Sequence, residues 1–148
     1  MRHPLEPSGD VMSTTLPLIS AATAGVLILL QSILMLATGT KRVKHKQLLG
    51  DGGQEDLLRA VRRHGNLAEN AAIFVISLAL LEMIGTGAPI VAALAVVFVA
   101  ARLSHALGLS FANTRNVWRV VGASLTALCG LAVGGLLLWR VCPFFAGV

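Results

Sequence analysis

A stripe of polar residues lies along one face of a predicted helix in the middle of the chain. Arg59, Arg62, Asn66 and Glu69 follow one another at intervals of three, four and three residues. On a helix of about 3.6 residues per turn, such intervals place side chains on one face. The following segment, residues 71–83, is almost entirely apolar. Because unpaired polar groups are costly in hydrocarbon, they persist there mainly when they face a bundle interior, a partner or a ligand. The stripe is therefore the predicted functional site.

The composition is typical of an integral membrane protein. Of the 148 residues, 55% are hydrophobic and 13% are charged, whereas a soluble domain carries about 25% charged residues. The net charge of +5 does not indicate nucleic-acid binding, because the basic residues lie in short segments between apolar spans. Cys129 and Cys142 lack the spacing of a metal site or a redox motif, and no metal site is predicted elsewhere.

Four apolar spans predict four membrane helices in a single domain, residues 1–148. The predicted helices cover about residues 15–38, 54–84, 89–109 and 117–141. At about 1.5 Å per residue, each can cross a hydrocarbon core of about 30 Å. Short connections favour antiparallel neighbours, so the predicted fold is all-α, an integral membrane four-helix bundle of the up-down type. Gly130, Gly134 and Gly135 form a small-residue run of the kind that allows close helix contact.

Lysine and arginine residues gather in the first and third connections. Residues 39–47 are predicted to form a dense cationic loop, and Arg115 and Arg119 lie around the start of the fourth span. The positive-inside rule places both connections in the cytoplasm and both termini on the other side. The cationic loop sets this topology or contacts lipid headgroups, so membrane lipid is a predicted partner. The alternative is that the loop attracts anionic substrates to the site.

The same topology collects the remaining unusual polar residues beside the stripe. Arg102 and His105 lie near the end of the third span, and Arg115 and Arg119 lie at the start of the fourth. The resulting pocket is cationic with one carboxylate, Glu69. Arginines pair with carboxylates and Glu69 can accept an ammonium group, so the pocket suits a small anion that also carries an amine. Glutathione fits this description, and cationic surroundings would favour its reactive thiolate.

Structural alternatives exist for the same residues. Glu69 could pair with an arginine of another helix and form an interhelical clamp that needs no ligand, since buried arginine-carboxylate pairs also occur as structural elements. His105 could be a hydrogen-bonded histidine between helices. Arg59 and Arg63 could be solvated or bind lipid headgroups.

The sequence resembles the MAPEG family, the membrane-associated proteins in eicosanoid and glutathione metabolism, and in particular its small bacterial members. Four segments carry the resemblance: residues 50–53, 60–69, 81–83 and 101–109. Within them, Arg62, Asn66 and Glu69 form an Arg-x-x-x-Asn-x-x-Glu signature, and residues 101–105 form Ala-Arg-Leu-x-His.

The resemblance implies a homotrimer in the bacterial inner membrane, with both termini periplasmic. Glutathione would be the cosubstrate, bound between subunits near the cytoplasmic face. The resemblance implies these glutathione-binding residues: Arg62, Asn66, Glu69, Asn70, Arg102 and His105. An arginine around the start of the fourth helix would stabilise the thiolate, and Arg115 and Arg119 are both candidates. The implied activity is that of a glutathione transferase or peroxidase acting on lipophilic electrophiles.

The chain also departs from the eicosanoid-type members of that family. Asn70 and His105 stand where those members have tyrosines, and this chain contains no tyrosine. Leukotriene or prostaglandin synthesis is therefore not expected. The missing hydroxyl groups leave an alternative function open, a non-catalytic membrane module that binds glutathione or another small anionic ligand.

Overall fold

The computed structural model describes residues 16–111 and 116–146, which form four helices. Their bounds are α1 (Leu18–His45), α2 (Glu55–Met83), α3 (Ala88–Gly108) and α4 (Val117–Ala146). Each is long and apolar enough to cross a membrane. The predicted all-α membrane bundle is thus confirmed, and α2 and α3 begin and end within one residue of the predicted positions.

The first helix differs from its prediction. The apolar span ends near Thr38, but α1 continues to His45 through most of the segment predicted as a cationic loop. Lysine and arginine are good helix formers, and Arg42, Lys44 and His45 in the last turn favourably oppose the negative end of the helix dipole. Hydropathy therefore marked where the apolar span ends, not where the helix ends. Similarly, α4 continues past residue 141 to Ala146, with Pro143 in its last turn.

The four helices form an antiparallel bundle with two closely packed pairs. Helix α1 packs on α2, and α3 packs on α4. In the described part of the chain α1 and α4 do not touch, so α2 and α3 join the two pairs. The shared core includes Leu27, Phe74, Leu78, Phe98 and Val133. We call the end where α1 and α3 finish and α2 and α4 begin the basic end, because Lys41, Arg62 and Arg119 lie there.

A carboxylate joins α1 to α2 at the opposite end of the bundle. Glu82 Oε1 accepts a hydrogen bond from the Ile19 N–H at 2.9 Å. Its Oε2 accepts bonds from the Ser20 N–H at 2.9 Å and the Ser20 hydroxyl at 2.7 Å. The first N–H groups of a helix have no partner within the helix, and a negative charge there also complements the helix dipole. Glu82 thus caps α1 from a different helix.

Two glycines allow α3 and α4 to approach closely near the basic end. A Cβ added at Gly122 would lie 2.6 Å from His105 N and 2.7 Å from Ala101 O. A Cβ at Gly108 would lie 2.8 Å from the Cα of Arg119. Both contacts involve backbone atoms, which cannot move aside as a flexible side chain could. The distance between α3 and α4, and with it the position of Arg119 relative to His105, depends on these glycines.

We expect Gly122→Ala to destabilise the bundle by about 1–3 kcal/mol, because overpacking forces the backbones of α3 and α4 apart. Thermal unfolding in detergent, followed by circular dichroism, measures the change. Gly135→Ala is the matched control, since nothing lies within 4 Å of a Cβ at that position of the same helix. Equal stability of the two variants would contradict the proposed close contact.

Candidate functional site

The predicted stripe on α2 has its charged groups on the surface of the subunit. Arg62 and Glu69 are exposed and Asn66 is half-buried. The Asn66 amide donates to the Arg62 carbonyl at 2.9 Å, and the Asn70 amide donates to the Asn66 carbonyl at 2.9 Å. Among the described residues, neither Arg62 nor Glu69 forms an ion pair. The interhelical clamp through Glu69 is therefore not formed in this part of the chain, and both charged groups face outward.

Arg102 lies behind this stripe, in the interior of the bundle. Arg102 is only 4% exposed, and its Nη1 donates to the Asn66 carbonyl at 3.0 Å. The guanidinium carbon lies 6.0 Å from the centre of the Phe98 ring, which stacks on Phe74 with the ring centroids 3.6 Å apart. A guanidinium has five N–H donors, and Arg102 Nε is buried without a hydrogen-bond partner in the described residues. Arg102 thus brings a positive charge to Asn66 without a carboxylate to neutralise it.

His105 lies one turn further along α3, at the contact with α4. It is buried, and its backbone faces Gly122. The structure therefore brings the predicted residues of α2, α3 and α4 to one end of the bundle, as their order in the sequence indicated.

The start of α4 is fixed against the end of α3. The Arg119 N–H donates to Asn116 Oδ1 at 3.0 Å, and the Asn116 amide donates to the Gly108 carbonyl at 2.6 Å. The Arg119 residue is exposed and borders a surface hollow of about 690 Å³. Arg115 lies outside the described residues. Arg119 is therefore the one of the two candidate arginines that the structure describes.

Arg63 contributes a contact that sequence reasoning missed. The sequence left it as a solvated or lipid-facing side chain. Instead, its Nη1 donates to the Ser110 hydroxyl at 2.8 Å, which ties α2 to the segment after α3. Adjacent helical residues are about 100° apart, so Arg62 and Arg63 serve different faces of α2. In the sequence, only this difference in angle indicated that Arg63 does not share the helix face of Arg62.

A cavity of about 260 Å³ opens between α2, α3 and α4 on the membrane side of Asn66. Most of its lining is apolar and includes Phe74 and Phe98, whereas Asn70 and Thr126 add polar atoms. Asn70 belongs both to this cavity and to the hydrogen bonds around Asn66. The cavity therefore adjoins the polar site and extends it towards the interior of the bundle.

The geometry defines a class of protein, a small all-α membrane bundle with a cationic polar site at one end and an apolar cavity beside it. Residues 20–139 match the MAPEG family. The chain therefore belongs to the MAPEG family, as the resemblance predicted.

Two curated proteins are similar to the chain. They are the inner membrane proteins YecN of Escherichia coli strain K12 and of Escherichia coli O6:H1 strain CFT073. Each is 34% identical over 85 residues, which cover 57% of this chain and 63% of the relative. The match thus spans slightly less than two thirds of the length of these relatives.

The surroundings of Arg102 predict that it contributes little to folding. We expect Arg102→Met to change the free energy of unfolding by less than about 1 kcal/mol, because the desolvation of a buried cation offsets most of what its bonds contribute. By contrast, Glu82→Gln should cost about 1–2 kcal/mol, since it weakens three hydrogen bonds to the start of α1. Thermal unfolding in detergent compares the two variants. A loss for Arg102→Met as large as that for Glu82→Gln would assign Arg102 a structural role.

Proposed function

We propose that this protein is a glutathione-dependent membrane enzyme that conjugates or reduces lipophilic electrophiles. In this proposal, glutathione binds at the basic end as the cosubstrate, and the subunits assemble as a homotrimer with glutathione between neighbours. The proposed location is the bacterial inner membrane, which is the location that the name of the Escherichia coli relatives gives for them. Family membership supports the link to glutathione metabolism.

The single observation that carries the proposal is the arrangement around Asn66. An exposed arginine and an exposed carboxylate, Arg62 and Glu69, lie on the same helix face, and the buried cation of Arg102 lies directly behind them. The outward charges match the opposite charges of glutathione, since Arg62 can pair with a carboxylate and Glu69 with the ammonium group. Arg102 adds positive potential in a region of low dielectric, where a charge acts over a longer range than in water.

This potential supports thiolate chemistry. Glutathione would bind as the thiolate and its thiol proton would pass to water at the basic end. In the transferase reaction, sulfur attacks an electrophilic carbon and forms a carbon-sulfur bond while the leaving group departs with the electron pair. In the peroxidase reaction, two glutathione molecules reduce a hydroperoxide to an alcohol and water and become a disulfide. Arg119 and Arg115 are the two proposed thiolate-stabilising arginines.

The cavity beside Asn70 supports a lipophilic second substrate. Its walls are mostly apolar, and it reaches the polar site through Asn70. A substrate dissolved in the bilayer could enter from the membrane and place its reactive atom beside the bound thiolate. Holding the two reactants together in this way lowers the entropic barrier to attack.

We expect the detergent-purified protein to bind glutathione saturably, as measured by calorimetry. Arg62→Ala and Glu69→Gln should each weaken the affinity by about tenfold or more, because each removes a charge-assisted hydrogen bond worth roughly 1.5–3 kcal/mol. The matched control is Arg140→Gln, which removes a positive charge at the opposite end of the bundle, where Arg140 lies near the Gly85 carbonyl. Folded protein that fails to bind glutathione, or an affinity that Arg62→Ala and Glu69→Gln leave unchanged, would rule the site out.

We expect Gly130→Leu to raise the KM for bulky lipophilic electrophiles by about tenfold or more, because the new side chain fills the cavity. Gly130 lines this cavity, and nothing lies within 4 Å of a Cβ added there, so the fold should tolerate the change. The glutathione affinity should stay unchanged. Gly135→Leu is the control on the same helix. If steady-state kinetics gave the same KM for the two variants, the cavity would not be the binding site of the lipophilic substrate.

A non-catalytic module is the second candidate function. The specific observation that favours it is the absence of tyrosine from the chain, which leaves no phenolic hydroxyl to contact the glutathione sulfur. Saturable glutathione binding without turnover of any electrophile or hydroperoxide would support this alternative. Glutathione-dependent turnover that Arg62→Ala abolishes would exclude it.

A further inference from the structure

The end of α1 extends past the hydrocarbon layer. Its 28 residues span about 42 Å at about 1.5 Å per residue, whereas a hydrocarbon core is about 30 Å thick. The charged residues begin at Lys41, within the last turns of the helix. These turns therefore lie at the level of the lipid headgroups.

The connection that follows α1 folds back against this last turn. Lys46 has a left-handed backbone conformation with φ of 52°, which ends the helix. Arg42 Nη1 then donates to three backbone carbonyls of the connection, at 3.3 Å to Gln47, 3.0 Å to Leu48 and 3.0 Å to Gly50. One guanidinium nitrogen thus holds the connection at the level of Arg42, instead of letting it extend into water.

Two adjacent leucines occupy the connection that Arg42 holds. Leu48 is 87% exposed and Leu49 is 82% exposed. A fixed segment that presents two large apolar side chains at headgroup level fits the boundary between headgroups and acyl chains, where apolar side chains of interfacial segments lie.

The nearby cations differ in whether they are already paired. Lys41 Nζ lies 2.8 Å from Asp56 Oδ2, and His45 Nε2 lies 2.9 Å from Asp56 Oδ1. Lys44 and Lys46 are exposed, and neither forms an ion pair within the part of the chain that the structure describes. These two lysines flank the same helix end and are available to an external anion.

We infer that the end of α1 and its connection form a binding surface for anionic phospholipid. Lys44 and Lys46 hold the phosphate of the headgroup, and Leu48 and Leu49 lie in the upper acyl region. The charge complementarity selects an anionic lipid. The leucines favour a lipid over a soluble phosphate, because a soluble anion would leave both leucine side chains in water.

The test compares lipid selectivity around the full-length protein in nanodiscs. The measurement is the fraction of spin-labelled phosphatidylglycerol that the protein immobilises, relative to spin-labelled phosphatidylcholine. A lysine near an anionic surface contributes about fivefold in binding, which corresponds to roughly 1 kcal/mol. Lys44→Gln and Lys46→Gln should therefore each lower the preference for phosphatidylglycerol by about fivefold. Lys41→Gln combined with Asp56→Asn is the matched control and should change it by less than about twofold, because it removes a lysine together with the carboxylate that pairs with it.

A second measurement tests the depth of the leucines. Leu49→Cys carries a nitroxide label in a protein whose Cys129 and Cys142 are replaced by alanine. The inference requires the label to collide with oxygen, which partitions into lipid, more often than with a water-soluble nickel complex. More frequent collisions with the nickel complex than with oxygen would overturn the inference. Equal loss of preference in the three lysine variants would also overturn it, as would competition by free glycerol phosphate at millimolar concentration, which would indicate a site for soluble anions.

Discussion

A polar group inside a bilayer has no water to bond with, and this constraint decides where the polar side chains of this protein lie. Some of the hydrogen bonds between helices satisfy polar atoms that have no partner within their own helix. Glu82 accepts bonds from the first N–H groups of α1. The Thr38 hydroxyl of α1 donates to the Leu34 carbonyl at 2.9 Å and also lies 3.2 Å from the Ala60 carbonyl of α2. Because such bonds have few competitors in hydrocarbon, a small number of them can fix the relative positions of long apolar helices.

The two ends of the bundle meet this constraint differently. At the end opposite the basic end, both oxygens of Glu82 accept hydrogen bonds from the start of α1, whose first N–H groups need acceptors. At the basic end, the charges of Arg62 and Glu69 face outward, and Arg102 is buried with part of its donor capacity unused in the described residues. The first arrangement is complete within one subunit. The second is incomplete, and incompletely satisfied groups are where a ligand or a neighbouring subunit can contribute most.

Sequence reasoning predicted the features that depend on transfer into lipid. The apolar spans, the bounds of α3 and the gathering of Arg62, Arg102 and Arg119 at one end all follow from hydropathy and antiparallel order. It was wrong about the end of α1, because hydropathy does not record where a helix made of good helix formers stops. The cap that Glu82 provides was not predicted, because its partners Ile19 and Ser20 lie more than sixty residues away in sequence.

The sequence also did not predict which faces of the helices are in contact. The small-residue run at Gly130, Gly134 and Gly135 indicated a close contact, yet a Cβ at any of these positions would meet no described residue of the same chain within 4 Å. The glycines that the α3 and α4 contact requires are Gly108 and Gly122. A small residue allows close approach but does not determine which face of a helix turns towards its neighbour. That rotation follows from the packing of the whole bundle, and spans that are apolar all round give little indication of it.

The partner of Arg102 explains how a buried cation can remain useful for binding. A carboxylate would satisfy the guanidinium more strongly, but it would also cancel the positive charge that an anionic ligand requires. The same cancellation occurs at the first connection, where Asp56 pairs with Lys41. The Asn66 carbonyl accepts a hydrogen bond from Arg102 at 3.0 Å and lowers the cost of burial without adding a negative charge. Since Asn66 lies between Arg62 and Glu69 on α2, the uncancelled positive charge of Arg102 adds to that of Arg62 at the surface of the proposed site.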